Sequence, residues 1–326
     1  MKGPFAGYDL IGDIHGCADS LERLLHKLDY SKHNGVYHYS DRVRPRQLVF
    51  VGDILDRGPK IREVMLMIRE MVEQGSAQIV MGNHEYNALA YTTEAPLDSG
   101  KRFLREHTES HTRSIQETLE QYANHPRDWQ DTLSWLYQWP LLLEFNDFRV
   151  VHACWDQGLI DQFLESYPTA LIDQAFMVQS AEVKSFAARF TSRILRGVSL
   201  MLPDNLSMTG SDGYTRRAFR AKYWEPNPSK YGDVEFQPDA LDVDVAAREL
   251  TKAEKRHIPF YAPDQRPLFI GHYWQTGKPV PQAPNVACLD YSAVKNGRLV
   301  AYRMNGDQHL SAKQFVWVRG NETLAL

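Results

Sequence analysis

LIGDIHGCADS, residues 10–20, sets an aspartate (Asp13) and a histidine (His15) two positions apart on a turn bracketed by Gly12 and Gly16. Apolar residues (Tyr8, Leu10, Ile11) precede the turn. Leu21, Leu24, Leu25 and Leu28 follow it at i, i+3, i+4 and i+7, one face of a helix. Strand, tight turn and helix are therefore expected in that order. An ordinary turn uses its glycines, and the aspartate can cap the next helix, but the histidine has no such role. The pattern recurs in QLVFVGD (47–53), followed by REVMLMIREMVEQG (62–75), and in AQIVMGN (77–83). Later strand-like runs are FRVVHA (148–153), PLFIGH (267–272), VACLDYS (286–292) and GRLVAYRM (297–304). Strands alternating with helices predict an α/β layered domain, with a ligand crevice beyond the C-terminal strand ends.

Two segments interrupt the rhythm. Residues 91–139 are polar, mostly helix-like, and end in a tryptophan-rich run (Trp129, Trp135, Trp139). Residues 158–264 look helical in their first half and are rich in Pro, Asp and Tyr in their second. Both are expected to form a cap or lid on a single domain spanning residues 1–326. No apolar stretch approaches the roughly 18–20 residues of a membrane-spanning helix, and MKGPFAGYDLIGD is too polar for a secretory signal. Three widely spaced cysteines (Cys17, Cys154, Cys288) argue against a disulfide framework. The expectation is a soluble cytoplasmic protein. A formal charge of −4 gives no general attraction for nucleic acid, and no basic stripe with interleaved aromatics is present.

Five turns combine into one constellation: GDIHG (12–16), GDILDRG (52–58), GNHE (82–85), VHAC (151–154) and IGH (270–272). Each ends a strand-like run, so the fold would gather their polar residues at one edge. Singly, each has an ordinary reading as a cap, a charged loop or a core histidine; their joint occurrence in order carries the inference. Oxygen and imidazole donors suit Mn, Fe, Zn, Co or Ni. Two such cations about 3.5–4 Å apart can stabilise both the attacking and the leaving oxygen of a displacement at phosphorus. Holding them that close requires a bridging anion, and a strand-end carboxylate is the natural choice.

In this order the motifs closely resemble the calcineurin-like metallophosphoesterase superfamily, in the branch of bacterial phosphoprotein phosphatases and symmetrical dinucleoside tetraphosphatases. The resemblance covers roughly residues 1–90, 135–155 and 265–305. It implies a four-layer α/β/β/α sandwich and two divalent metal ions, manganese first, with iron, zinc, nickel or cobalt as alternatives. It also implies metal ligands: Asp13, His15 and Asp53 for one ion, and Asp53, Asn83, His152 and His272 for the other, with Asp53 as the bridge. A water activated by the cations would be the nucleophile, His84 the general acid, Asp56 its orienting partner, and Arg57 a grip on phosphate oxygens. The family's protein phosphatases carry a second arginine after a Ser-Asp pair. SDGYTRRAFR (211–220) makes Arg216 the candidate, with Arg217 and Arg220 as alternatives.

The substrate is less sharply marked. GDILDRG and GNHE match protein phosphatases, whereas GDIHGC and CLDYS look like the dinucleotide-hydrolase side. VHACW puts Cys154 and Trp155 where those relatives have small residues, so a narrowed wall is expected. Asp290 and Tyr291 are expected to be structural. The first reading is hydrolysis of phosphate monoesters, either small molecules or phospho-Ser/Thr peptides. The alternative is a dinucleoside polyphosphate hydrolase acting on diadenosine tetraphosphate. A third, from a different class, is a non-catalytic phospho-ligand binding protein.

Overall fold

The structure, a computed structural model, describes residues 5–210, 215–237 and 239–320. Residues 211–214, which open the segment holding the second-arginine candidates, lie outside the described residues.

The chain opens with β1 (Gly7–Ile11), α1 (Ala18–Lys27) and a hairpin of β2 (Tyr30–His33) and β3 (Val36–Tyr39). β4 (Arg46–Phe50), α2 (Ile61–Glu73), β5 (Ala77–Ile79) and α3 (Asn83–Thr92) follow. The first insertion adds α4 (Glu109–Tyr122) and α5 (Pro126–Leu136), and then β6 (Leu142–Glu144) and β7 (Arg149–Val151) return to the core. The second begins with α6 (Gln157–Ser166), α7 (Gln174–Ser180) and α8 (Phe186–Arg196). It continues with β8 (Val198–Met201), β9 (Met208–Thr209), β10 (Thr215–Arg216) and β11 (Ala218–Ala221). α9 (Tyr231–Val234), β12 (Glu235–Gln237), α10 (Val243–Ala246) and α11 (Lys252–His257) complete it. The last elements are β13 (Leu268–Ile270), β14 (Val286–Cys288), β15 (Asp290–Tyr291), β16 (Arg298–Met304) and β17 (Phe315–Arg319).

Two sheets organise these elements. In the first, β1, β4 and β5 run parallel, with Ile11 level with Phe50 and Phe50 with Ile79. β16 joins β1 antiparallel and also pairs with β15 and β17. The second sheet has the order β14-β13-β7-β6, its first three strands parallel. Successive strand residues point to opposite faces, and the packing follows that rule. Leu10 and Val49 share an apolar cluster with Val150 and Phe269, so the two sheets bury facing surfaces against each other. Ile11, Leu48 and Phe50 belong to a larger cluster with Leu21 and Leu24 of α1 and Ile61 and Ile68 of α2. Full burial of each such side chain contributes about 1.5–3 kcal/mol.

The second insertion holds more order than its composition suggests. β8, β11 and β12 form an antiparallel three-stranded sheet, with Leu200 opposite Phe219 and both buried. Strands of three or four residues offer too few alternations for period 2 to be recognised among prolines and aspartates. The three cysteines are buried and free. Among the described residues, no helix is long and apolar enough to cross a membrane.

Candidate metal and phosphate site

The parallel strands deliver the turns to one edge. Asp13, Asp53 and Asn83 stand just past the C-terminal ends of β1, β4 and β5, while His152 and His272 follow β7 and β13. The backbone there is sharply bent: His15, Asp53, Asp56, Arg57 and His272 have φ of +44°, +54°, +67°, +68° and +57°. A residue with a Cβ in the left-handed region costs about 1–3 kcal/mol, so the surroundings must enforce it. Two glycines make room. A Cβ on Gly82 would lie 2.3 Å from Asp53 Oδ1, and one on Gly271 would lie 2.0 Å from Asp13 Oδ1.

Glu85 fixes the Asp53 turn. Its Oε2 accepts from the backbone N–H of Asp53 (3.0 Å) and Gly82 (2.9 Å), and its Oε1 from Ile54 (2.8 Å) and Leu55 (3.0 Å). The side chain is fully buried. The first insertion braces the following loop. Thr118 Oγ1 donates to Asp56 Oδ1 (2.5 Å) and accepts from Asp56 N (3.0 Å). Gln121 accepts from Ile61 N (2.6 Å) and donates to Gly58 O (2.9 Å). Glu85 stands inside a quoted motif, yet only its position at the third residue of α3 hints at its role. Nothing local marks Thr118 or Gln121.

Hydrogen bonds set the imidazole tautomers. Nδ1 of His15 donates to Leu55 O (2.8 Å), Nδ1 of His152 to Val51 O (2.8 Å) and Nδ1 of His84 to Asp56 Oδ2 (2.6 Å). Arg57, which has only donors, bridges His15 Nε2 and His84 Nε2 at 3.0 Å each, so both nitrogens present lone pairs. Asp53 Oδ2 lies 3.3 Å from His152 Nε2, 3.8 Å from His15 Nε2 and 3.9 Å from His84 Nε2. Asn83 Oδ1 is 3.1 Å from His152 Nε2.

The electrostatics sort these groups. Burial pushes the Asp53 carboxyl up, but the charge and hydrogen bond of His152 outweigh it, and the group is held well below the usual range. Burial lowers His15 and His272 well below an ordinary imidazole, and Arg57 and Arg220 respectively add to the effect. Both are therefore neutral, the form that ligates metal. Asp13 moves the other way, raised by burial and then by the charges of Asp290 and Asp53.

The donor set fits divalent cations. One ligand atom each from His15, Asp53 and His84 lie within 4.8 Å of one another, and so do those of Asp53, His152 and His272. Asp53 is common to both groups. His272 Nε2 and Asp13 Oδ1 are buried without a hydrogen-bond partner, a costly condition for polar atoms that a cation would relieve.

Asp13, His15, Asp53, Asn83, His84 and His272 floor a cavity of 560 Å³ whose walls include Arg57, Arg220, Trp274, Lys295 and Arg298. Three expectations shift here. Arg216 lies on β10, level with Met208 of β9, and Arg220 is the member of that segment that lines the cavity, its Nη1 donating to His272 O at 2.7 Å. Trp155 does not narrow the wall, because its ring is buried beneath the Arg149 guanidinium (4.7 Å) and its Nε1 donates to Gln157 (2.9 Å). Asp290 is part of the cavity, close enough to Asp13 for their charges to interact. One helical turn past Asn83, Asn87 Oδ1 accepts from Arg196 (2.6 Å) and Arg105 (3.2 Å), two arginines not singled out from sequence.

Known proteins share this framework. A symmetrical bis(5'-nucleosyl)-tetraphosphatase of Neisseria meningitidis is 28% identical over 312 residues, 91% of this chain and 92% of that protein. An asymmetrical bis(5'-nucleosyl)-tetraphosphatase of Oceanobacillus iheyensis is 47% identical over 76 residues, so the match spans only 29% of that relative's length. The solved structure of a protein serine/threonine phosphatase from Saccharomyces cerevisiae shares the fold at a TM-score of 0.51 and 13% identity, over 99% of this chain and 82% of that one. The family model for calcineurin-like phosphoesterases matches residues 8–172. The match takes in all but the first residue of β1 and every element from α1 through α6, and the chain belongs to the calcineurin-like phosphoesterase family.

Proposed function

We propose that this chain is a metal-dependent hydrolase of phosphorylated small molecules, with dinucleoside polyphosphates such as diadenosine tetraphosphate as preferred substrates. The observation that carries this choice is the similarity, over 91% of this chain and 92% of the relative, to a symmetrical bis(5'-nucleosyl)-tetraphosphatase. It favours the second of the readings drawn from the sequence over the first. Asp13, His15 and Asp53 are assigned to one cation, and Asp53, Asn83, His152 and His272 to the other, with manganese as first choice. When bound, the cations supply an acidified water and neutralise phosphate charge. Arg57 then turns its donor fork from the two imidazoles to phosphate oxygens, and Arg220 lines the cavity as a second guanidinium. His84, protonated at Nε2 and held through Nδ1 by Asp56, gives a proton to the leaving oxygen. In this reading the two insertions are walls of one catalytic domain, and three free buried cysteines suit a reducing cytoplasm.

Hydrolysis of phosphate monoesters, including phosphopeptides, is the second reading. The buried His84–Asp56–Thr118 chain favours it. An alkoxide leaving group needs protonation, whereas a nucleotide phosphate leaves readily without it. The test is protein stripped of metal and reloaded separately with Mn, Ni, Co, Zn or Mg. Each form is assayed on diadenosine tetraphosphate, p-nitrophenyl phosphate and a phosphothreonine peptide. Faster consumption of the dinucleotide is the expected result. Preference for the monoesters would install the second reading. No turnover with two metals bound per chain would leave a binding protein.

A further inference from the structure

Four cationic side chains, Arg57, Arg220, Lys295 and Arg298, line the site cavity, more than one phosphate group requires. Arg57 and Arg220 lie near the carboxylate floor. The same cavity is also lined by Lys295, in the turn between β15 and β16, and by Arg298, the first residue of β16. Ser292 and Asn296 hold that turn in the left-handed region, at φ of +54° and +59°. Lys295 is exposed. Arg298 is half-buried, stacked 4.7 Å from the Trp317 ring centre and donating from Nη1 to Gly277 O at 2.5 Å. Its Nε is buried without a hydrogen-bond partner, and neither residue has a carboxylate within ion-pair distance among the described residues. A guanidinium held in place by ring stacking, with no carboxylate to neutralise it, offers its charge at the cavity wall to an incoming anion.

We propose that Lys295 and Arg298 form a distal phosphate subsite, which binds the phosphates beyond the scissile one and so selects polyphosphate chains over monoesters. The inference rests on the reading of the cavity as a phosphohydrolase site and names what distinguishes its substrates. A monoester fills the floor near Arg57 and leaves this wall uncovered. An extended polyphosphate carries several negative charges and reaches both. The same chemistry would also hold inorganic polyphosphate, so the ligand set must separate the nucleotide from the bare anion.

The test uses the metal-loaded full chain and ligands that resist hydrolysis. Calorimetric binding is measured for a methylene-bridged diadenosine tetraphosphate, for methylenediphosphonate and for phenylphosphonate. Lys295→Glu, on an exposed side chain, and Arg298→Gln are expected to weaken the dinucleotide analogue about tenfold or more beyond any effect on phenylphosphonate, as for loss of a charged phosphate contact. Arg298→Lys should restore part of the loss, separating charge from packing against Trp317. Methylenediphosphonate sharing the full effect assigns the subsite to the phosphate chain alone, whereas a smaller effect assigns it to the extended nucleotide ligand. Equal weakening of all three ligands, or none, overturns the proposal. Selective binding with no turnover of diadenosine tetraphosphate would keep the subsite and reject the hydrolase reading instead.

Discussion

His84 Nδ1 lies 2.6 Å from Asp56 Oδ2, and the opposite oxygen of that carboxylate accepts the hydroxyl of Thr118 from the first insertion. The carboxylate is thus held on both sides, and the imidazole it orients has one nitrogen left for the reacting groups. In the proposed acid role, proton delivery depends on the basicity of the leaving oxygen. His84→Asn should leave both metals bound and slow hydrolysis of alkyl phosphates by about 10²–10⁴-fold. The loss should shrink for p-nitrophenyl phosphate and for a phosphoanhydride. Rates measured across a leaving-group series decide it, and a uniform loss would remove His84 from the acid role.

Asp53 stands in both groups of potential ligands, and its Oδ1 also accepts from His84 N at 3.0 Å. Asp53→Asn keeps the size but removes the charge that would bridge two cations. Metal analysis should show fewer than two ions per chain, together with loss of activity. Two tightly held ions in that variant would refute the bridging assignment.

Four backbone N–H groups converge on Glu85, two on each oxygen. Glu85→Gln presents an amide N–H₂ to two of them and leaves them unsatisfied. Each buried donor so stranded costs about 1–3 kcal/mol. The melting temperature should fall by several degrees in the metal-free protein, with weaker metal uptake as the Asp53 turn loosens. An unchanged melting curve would mean the turn holds itself.

The raised Asp13 carboxyl sets a sign for metal binding. Its protonated form is favoured by burial and by Asp290 and Asp53, so it keeps its proton well above the ordinary carboxylate range. A cation must expel that proton, and affinity should rise with pH until the raised value is passed. For the metal-free fold the sign is opposite. The native state binds more protons than the unfolded one, so this group's contribution to stability falls as pH climbs through the same window. Calorimetry of metal binding in buffers of different ionisation enthalpy should reveal proton release at mildly acid pH. Asp13→Asn should abolish that component.

The turns of the candidate site are legible because each places a histidine or aspartate where an ordinary turn has no use for it, directly after an apolar run. That juxtaposition survives without any knowledge of the fold. The strand ends at Ile11, Phe50 and Val151 fell close to where the motifs put them. Which of Arg216, Arg217 and Arg220 faces inward depends on strand breaks around β10 and β11 that the residue pattern does not mark. Thr118 sits in a polar helix that reads as solvated, yet its hydroxyl meets Asp56 across 62 positions in sequence. Trp155 misled for the same reason. Being next to a ligand along the chain says nothing about which way a ring turns once Arg149 covers it.

The left-handed backbone at Asp53, Asp56, Arg57 and His272 ties usefulness to fragility. Each position holds a side chain to which the proposed chemistry gives a role, in a conformation that glycine would adopt with less strain. A population selected only for survival at high temperature would be drawn toward glycine at these positions. It would arrive at sturdier molecules with a silent centre, so heat tolerance is a misleading criterion for choosing a working descendant of this chain.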